Sequence, residues 1–571
     1  MKKLKLFCKI LALFIVVASL LTQVTACKVT PDTPPDEIPG DTPKKEYFDI
    51  SEFTIIRREA SDARVTDKTI DFKKAIEAEL GTKLAIKTDW YAPTDLPDPN
   101  AKEILIDKTN RQESEAAFAK LEENENDAYV IEITENKIII VGKSAVSTTR
   151  ALTYFINNYI LPSEEAGKID VSSGKTLTKD YDVVKNIYIA DKLDMDVEVV
   201  STLLSVNKKG EKTTLLDKTG SVTDVGYPSV IELQHQKNKE NNGKLLAIFE
   251  FDHACTVGTT GSVWESNDGG ETWDIIGRPK EMKDKTLKGI TMAHLYELPA
   301  QVGDMPAGTI LYAGNSVEYS RKSHIAIWRS FDCGYTWEEY VIVATGGGLD
   351  EGVWEPFMWY EESDGYLYCF YSDDSDPDHD QKLAYKRSKD GVNWSNVYDV
   401  CALDNPKERP GMFSMAKMGN GQYFMVYEYC GSQKCHVYYK ITDDITSWNP
   451  SDPGKLLKVG NYSMGSAPWC IWTPAGGECG TLIATGMWEV TGGDGKQRMF
   501  VSFDYGQTWD LMTNPLDYIV NESYKVGYSP SFALGSDPSV IYYMNTTNAS
   551  VSDVKRMQFA RLKIYDLDLY D

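Results

Sequence analysis

The sequence predicts a mainly β protein in which a six-bladed β-propeller follows a small α/β domain. Three observations lead to this prediction. From about residue 220 to the end, short apolar runs alternate with Gly, Asp and Asn turns, which is typical of all-β structure. One turn segment recurs at nearly even spacing across that region. Residues 47 to about 180 instead mix helical and strand periodicity.

The recurring segment has the pattern S-x-D-x-G-x-T-W. Full copies occupy residues 266–273, 330–337 and 502–509, a shortened copy occupies 388–394, and a worn copy occupies 442–448. The pattern predicts a tight turn in which the Asp carboxylate accepts backbone N–H groups, the Gly supplies a positive φ, and the Trp packs between sheets. The aspartates are assigned to Asp268, Asp332, Asp390, Asp443 and Asp504. Their mean step of about 59 residues divides the region into close to six four-stranded blades.

This pattern resembles the Asp-box of sialidase-type propellers. In that family the boxes are structural and lie on the face opposite the active site. The resemblance therefore implies the fold and assigns no chemistry to the boxes.

The patterning of residues 47 to about 180 predicts a definite order of helices and strands. A helix is expected through Phe72 and Leu80 with Gly81 as its C-cap, and a strand at Glu103–Ile106. A helix through Phe118 and Leu121, a hairpin at 129–141, and a helix over 145–159 follow. The stretch from Glu103 resembles the small α/β domain that precedes the catalytic domain in some hexosaminidases and glucuronidases. Because that domain carries no catalytic residues, we expect a spacer or packing domain here.

The N-terminus has the features of a lipoprotein signal. Lys2, Lys3 and Lys5 precede an apolar stretch from Ile10 to Leu21, which is shorter than a membrane span. Val24-Thr25-Ala26-Cys27 follows and resembles a lipobox, which implies cleavage before Cys27 and a lipid on its sulfur. A plain secretory signal with a chance cysteine is the alternative. We expect an extracytoplasmic protein that is lipid-anchored to the bacterial cell membrane or surface.

These features predict five segments. They are a signal peptide at 1–26, a Pro-rich tether at 27–46, the α/β domain at 47–180, a connecting segment at 181–219, and the propeller at 220–571. The tether contains five prolines among Asp, Thr and Lys, so it is expected to be extended.

Charge and cysteine content restrict the partners. The net charge of −25 argues against a nucleic acid and, less strongly, against an acidic polysaccharide, whereas a neutral glycan fits. No C-x-x-C spacing occurs and only six His are present, so no metal site and no cofactor are expected. An exported protein can form disulfides, but the spacing of the cysteines leaves their pairing open. We expect a monomer.

The propeller region can be compared with two family patterns. Sialidases bind the substrate carboxylate with three arginines, and the segment where the first is expected, Gly226–Ile231, carries Ser229 instead. Four stretches resemble glycoside hydrolase family 93, the exo-acting arabinanases. They are GVWEPFMWYEESDGYLYCFYSDD at 352–374, DQKLAYKRSKDGVNW at 380–394, RPGMFSMAKMGNGQYFMVYEYC at 409–430, and GSAPWCIWTPAGGECGTLI at 465–483.

The resemblance implies two catalytic glutamates, Glu355 in W-E-P-F and Glu428 in the Y-E that follows R-P-G-M. Retaining hydrolysis needs one carboxylate as nucleophile and a second as acid/base. Aromatic neighbours can raise the pKa of one of them, which suits it to act as the acid. We assign Glu355 as nucleophile and Glu428 as acid/base, although the sequence hardly separates this assignment from the reverse. A surface glutamate at a strand end is the alternative for each.

Six further residues are candidates for substrate binding. Arg409 donates to sugar hydroxyls or orients a carboxylate, and Tyr528 lines the pocket or polarises the nucleophile in this interpretation. The remaining candidates are Trp354 and Trp469 for ring stacking, and Asp373 and Gln381 for hydroxyl contacts. The alternatives are a structural salt bridge for Arg409 and core packing for the aromatic residues.

The function expected from these features is a retaining exo-1,5-α-L-arabinanase that releases arabinobiose from arabinan. A sialidase-like exo-glycosidase is the alternative among enzymes. A non-catalytic surface propeller that binds glycans is the alternative of another class, and such a binder has no need of the carboxylate pair.

Overall fold

The computed structural model describes residues 45–94, 96–123, 126–181, 185–189, 192–207, 211–215, 218–222, 224–251, 262–279, 289–318, 321–491, 497–516, 526–548 and 554–565. The predicted signal peptide, Cys27 and nearly all of the predicted tether lie outside these residues. Within them, no helix has both the length and the hydropathy that crossing a membrane requires.

The N-terminal part is a six-stranded mixed sheet with helices packed on it. In sheet order the strands are Ile86–Thr88, Thr54–Arg57, Glu103–Ile106, Lys137–Gly142, Asp127–Ile133 and Thr176–Tyr181. The α-helices are Ala63–Leu80, Gln112–Glu122 and Ala145–Phe155, the last extended by a π-helical turn at Ile156–Ile160. A separate strand pair joins Tyr47–Asp49 to Lys168–Asp170. The helices bury Phe72, Leu152 and Phe155 against the sheet.

The elements expected in this region are confirmed. The first helix ends where predicted, because Gly81 takes the left-handed conformation with a φ of 64°. The strand Glu103–Ile106 has the predicted bounds. The predicted hairpin is present as Asp127–Ile133 paired with Lys137–Gly142.

The rest of the described chain is a six-bladed β-propeller. The strands of each blade are given from the inner to the outer one. Blade 1 is Val225–Glu232, Leu245–Phe251, Val263–Ser266 and Asp274–Gly277, and blade 2 is Gly289–Glu297, Ile310–Glu318, Lys322–Ser330 and Glu338–Gly346. Blade 3 is Val353–Glu361, Tyr366–Asp373, Lys382–Ser388 and Tyr398–Cys401. Blade 4 contains Arg409–Lys417, Tyr423–Cys430, His436–Thr442 and Lys455–Leu456, with Lys458–Val459, Tyr462–Gly465 and Trp488–Thr491 attached to it. Blade 5 is Trp469–Thr473, Thr481–Thr485, Arg498–Ser502 and Asp510–Thr513.

Blade 6 shows how the ring closes. Its strands Ser531–Leu534, Val540–Thr547 and Val554–Tyr565 come from the C-terminus, but the next strand is Leu193–Asn207, followed by Lys185–Ile189. The segment 181–219 was expected to be a connector, and this is wrong for these strands. Leu193–Asn207 pairs with Val554–Tyr565 at the other end of the chain, so local patterning could not place it in a blade. A hairpin, Glu211–Leu215 with Lys218–Val222, follows the closing strand.

The recurring turns have one hydrogen-bonding pattern. In the first copy, Ser266 Oγ donates to Asp268 Oδ1 (2.7 Å), and the Thr272 amide and hydroxyl donate to the two carboxylate oxygens (3.0 and 2.6 Å). These donors, led by the Thr272 hydroxyl, lower the pKa of Asp268 to about 2. The turns follow the third strand of a blade, so they lie on the face where the inner strands end.

One residue of the repeat was assigned wrongly. In the worn copy the turn carboxylate is Asp444, which accepts the Thr446 amide at 2.8 Å and the Ser447 hydroxyl at 3.1 Å. Asp443 instead accepts from the side-chain amide of Gln422. The pattern S-x-D, with Thr442 in the serine position, identifies Asp444 directly.

Arg150 joins the α/β region to the closing strand of the propeller. Its guanidinium donates to Asp194 (2.8 Å) and Asp196 (3.0 Å) and lies 3.4 Å from the centroid of the Tyr565 ring. The Arg150 side chain is only 5% exposed. Because both aspartates lie on the strand Leu193–Asn207, this ion cluster links the two parts where the ring closes.

We expect Arg150→Met to lower the free energy of unfolding by about 3–5 kcal/mol, since it leaves two nearly buried carboxylates without their cation. Denaturant unfolding at pH 7 measures the change. Lys102→Met is the matched control, because it breaks an exposed pair with Glu52 and should leave the midpoint unchanged. Equal midpoints for the two variants would contradict this role for Arg150.

Candidate active site

One residue of each blade takes a left-handed backbone conformation where the inner strand starts. These residues are Tyr227, Met292, Glu355, Met412, Ala467 and Ser529, with φ between 44° and 56°. In blades 1 to 4 the residue lies at a break in strand register. Non-glycine residues adopt this conformation at a cost of about 1–3 kcal/mol and cluster at functional sites. Six such residues therefore mark this end of the ring as the functional face.

Glu355 is the left-handed residue of blade 3. Its amide donates to Asn315 Oδ1 (3.0 Å), and its carboxylate Oε2 accepts from Ser372 Oγ (2.7 Å). Burial raises the pKa of Glu355 to about 8, and the nearby Glu428 carboxylate adds to the rise. The carboxyl group thus holds a proton at neutral pH when the pocket contains no substrate.

Glu428 lies on the second strand of blade 4, opposite Gly411 of the inner strand. Its Oε2 accepts from Ser466 Oγ (2.7 Å) and from the Ala467 amide (3.0 Å), both at the start of blade 5. Three consecutive blades therefore supply the two glutamates and their hydrogen-bond donors. The side chain is half-buried.

Tyr528 lies close to both carboxylates. Burial raises the pKa of its hydroxyl well above the ordinary value, and the charges of Glu428 and Glu355 raise it further. Its ring meets Tyr227 edge-on at 5.4 Å, and its hydroxyl lies 3.2 Å from Met412 Sδ. Because both glutamates act on one hydroxyl, the structure brings these predicted residues together.

An aromatic partition closes the pocket. His294 stacks on Phe357 at 4.7 Å, and Trp469 packs against both rings at 5.7 Å. These three side chains line the pocket that contains Glu355 and also a well of about 450 Å³ that opens where the inner strands end. Burial lowers the pKa of His294 to about 3, so the ring is neutral, and its Nδ1 accepts the Met358 amide. Trp469, predicted to stack on sugar, thus lies at the base of the pocket.

Arg409 and Gln381 form one cluster beside the pocket. Arg409 donates to Gln381 Oε1 (2.5 Å), Asp374 Oδ2 (3.1 Å) and the Asp380 carbonyl (2.9 Å). Gln381 in turn donates to the Pro410 carbonyl. Gly411 permits this approach, because a Cβ there would lie 2.1 Å from Gln381 Nε2. The Arg409 side chain is 41% exposed, so it is accessible to a ligand.

The sequence interpretation missed Asp374. Asp374 accepts the Trp354 indole N–H (3.1 Å) as well as Arg409, and burial raises its pKa to about 6. The neighbouring candidate, Asp373, accepts the amide and the hydroxyl of Ser375, within its own turn. Trp354 is buried, so its indole supports Asp374 from below the surface. Asp373 and Asp374 are adjacent in the sequence, and nothing in the sequence shows which of the two contacts Arg409.

The left-handed positions were missed as well, although a signal exists. Four of the six precede a proline, at Pro228, Pro356, Pro468 and Pro530. An x-Pro pair in four of the six blades is visible in the sequence. It marks the pocket end of the inner strands, whereas the S-x-D-x-G-x-T-W turns mark the other end.

A larger cavity of about 490 Å³ lies between the α/β region and blade 6. Residues that line it include Arg64, Asp67, Arg150, Asp194 and Lys563. Charges of both signs pair with each other there, and the glutamate pair is elsewhere. This cavity is therefore not the candidate active site.

No protein-family model and no curated protein matches this chain. Among solved structures, an α-L-arabinofuranosidase of Fusarium graminearum in complex with an iminosugar inhibitor is 25% identical, with a TM-score of 0.52, over 63% of this chain and 98% of the other. A family 93 α-L-arabinofuranosidase of the same fungus, solved with arabinobiose, is 26% identical (TM-score 0.50; 60% and 93% covered). An α-L-arabinanase of Penicillium chrysogenum complexed with arabinobiose is 25% identical (TM-score 0.50; 65% and 100% covered).

The raised pKa of Glu355 predicts a pH-dependent stability. A carboxyl whose pKa rises from 4.5 to about 8 on folding destabilises the folded state progressively as pH rises between these values. Glu355→Gln should therefore gain stability over the wild type by up to about 1.4 kcal/mol per pH unit from pH 4.5 to 8, and no further above it. Denaturant unfolding at several pH values measures this difference. A difference independent of pH would show that Glu355 ionises normally.

Proposed function

We propose that this protein is a retaining, exo-acting glycoside hydrolase that releases arabinobiose from 1,5-α-L-arabinan. The observation that carries the proposal is the pair Glu355 and Glu428 on adjacent blades, each held by hydrogen bonds to its carboxylate and both close to Tyr528 at the mouth of the propeller. Hydrolysis with retention needs two carboxyl groups on one anomeric centre. The similarity to the three solved arabinan-degrading enzymes supports a furanoside substrate.

The positions of the two glutamates support their roles. Glu355 lies on an inner strand and lines the closed pocket, where it can lie beneath the anomeric carbon. Glu428 lies on the second strand of the next blade, one strand further from the ring axis, where it can reach the leaving oxygen. Glu355 therefore attacks the anomeric carbon and forms a glycosyl ester, while Glu428 gives its proton to the departing oxygen. Glu428 then takes a proton from water, which attacks the ester and releases the sugar and free Glu355.

The proton must move from Glu355 to Glu428 before this chemistry can begin. In the substrate-free site burial keeps the proton on Glu355, whereas catalysis needs it on Glu428. Tyr528 stands beside both carboxylates, and its hydroxyl stabilises an ionised Glu355 by donating to it once sugar fills the pocket. The same raised pKa also supports the exchanged roles, with Glu355 as the acid.

The closed pocket supports exo action. The partition of His294, Phe357 and Trp469 separates the pocket from the opposite well, so a polysaccharide cannot thread through the ring. Only a chain end fits above the partition. Arg409, which the buried Gln381 helps to hold, lies beside the pocket and can donate to the hydroxyls of that terminal sugar.

The alternatives have less support from the site. The side chains lining the Glu355 pocket include no arginine among the described residues, which disfavours the three-arginine site of a sialidase. A glycan-binding propeller would gain nothing from this carboxyl pair, because the desolvation of Glu355 destabilises the fold. We also propose that the recurring turns are Asp-boxes and that the protein is a monomer anchored through a lipid on Cys27.

Incubation with debranched 1,5-arabinan should release arabinobiose as the first product, which chromatography of the digest detects. Glu355→Ala and Glu428→Ala should each lower kcat by at least about 10²–10⁴-fold. Glu362→Ala is the matched control, because this exposed glutamate follows the same inner strand at the opposite face and should retain full activity. Absence of arabinobiose with the wild type would end the substrate proposal, and activity in both alanine variants would end the site proposal.

Azide separates the two roles. With an aryl arabinobioside, azide should accelerate Glu428→Ala and give a glycosyl azide of retained configuration, because the nucleophile is intact. Glu355→Ala should give the inverted azide, because azide replaces the missing nucleophile. NMR of the products measures the configuration, and the opposite pattern would exchange the two assignments.

Cys27→Ser tests the anchor. The wild type should fractionate with membranes of the producing bacterium, and the variant should be soluble after lysis, because the lipid supplies the attachment. Immunoblotting of the fractions measures this. Membrane recovery of Cys27→Ser equal to that of the wild type would contradict the lipid anchor.

A further inference from the structure

The disulfide Cys430–Cys435 lies against one of the two proposed catalytic carboxylates. It closes the five-residue turn between the second and third strands of blade 4, two positions after Glu428. A carboxylate oxygen of Glu428 and the two sulfurs lie within 4.8 Å of one another. The other described cysteines, Cys333, Cys369, Cys401, Cys470 and Cys479, are unpaired.

A short chain of contacts connects this disulfide to the carboxylate. The carbonyl of Cys435 accepts the Ser466 amide at 2.8 Å. Ser466 then donates its hydroxyl to Glu428 Oε2, and the adjacent Ala467 amide donates to the same oxygen. The turn that carries the disulfide therefore holds the two donors that fix the carboxylate.

The backbone on both sides of this contact is conformationally costly. Lys434 and Cys435 are left-handed, with φ of 53° and 60°, and so are Ser466 and Ala467, with φ of 56° and 44°. Four non-glycine residues in this region of backbone space relax readily unless other interactions hold them. A covalent cross-link removes the alternative conformations of the turn and so keeps the Cys435 carbonyl in place.

We propose that the Cys430–Cys435 disulfide is a positioning element for Glu428, and that its reduction switches the enzyme to a slow form that still binds substrate. This inference rests on the function proposed above. Arg409 pairs with Cys430 through its backbone, but its guanidinium is held by Asp374, Gln381 and the Asp380 carbonyl, which lie in blade 3 and the loop that follows its second strand. The guanidinium therefore keeps its place, and binding persists, while the carboxylate loses its orientation. A reducing cytosol would keep the unexported chain in the slow form.

Dithiothreitol reduces the sulfur–sulfur bond to two thiols and is itself oxidised to its cyclic disulfide. On 1,5-arabinan we expect kcat to fall about 10- to 100-fold on reduction, with KM nearly unchanged. EDTA is kept in every assay, because the freed thiols and Glu428 could capture a metal ion. The variant Cys430→Ser with Cys435→Ser should show the same loss and no further response to dithiothreitol. Lys434→Ala, in the same turn with the disulfide intact, is the matched control and should retain the activity of the oxidised wild type.

A double-mutant comparison separates positioning from a general loss of structure. In Glu428→Ala, assayed with an aryl arabinobioside, reduction should leave the rate unchanged, because the group that the disulfide positions is absent. Full activity of the reduced wild type would overturn the proposal, as would an equal loss on reduction in Glu428→Ala. If neither the oxidised nor the reduced wild type cleaves arabinan, the proposed function fails and this inference falls with it.

Discussion

The left-handed residue at the start of each inner strand is the constraint on which the site depends. In blades 1 to 4 it breaks the strand register, and five of the six residues, all except Ala467, line the Glu355 pocket. At Glu355 this conformation directs the acidic side chain into the pocket. A residue in the ordinary strand conformation would face a neighbouring blade instead. The Asn315 and Ser372 hydrogen bonds hold it there, and both come from buried side chains of neighbouring strands.

Closure of the ring keeps these six positions facing one another. The strand Leu193–Asn207 pairs with Val554–Tyr565, so the last blade is completed by residues from before the first. Arg150 then attaches the α/β region to the same strand through Asp194 and Asp196. The α/β region thus supports the closure and lies away from the glutamate pair, which agrees with a packing role.

The sequence predicted the blades well because their signals are local. A turn of the type Ser266–Trp273 contains its own hydrogen bonds, and alternation of apolar residues marks each strand. The closing strand was not predicted, since its pairing partner is distant in the chain. Asp373 was predicted, but Asp374 is the carboxylate that faces Arg409. The strand Tyr366–Asp373 ends between these two neighbours, and local sequence does not show where it ends. The glutamate pair came from family resemblance, and its burial and shared tyrosine are visible only in three dimensions.

The central claim is that Glu355 attacks the sugar while Glu428, on the next blade, acts as the acid/base. An arabinofuranosyl reagent with a good leaving group and a fluorine at C2 should trap the glycosyl-enzyme, because the fluorine slows its hydrolysis. Mass spectrometry of the digested protein then identifies the labelled residue. The account predicts one sugar on the peptide containing Glu355; a label on Tyr528 or Glu428, or no label from a reagent that the enzyme consumes, would contradict it.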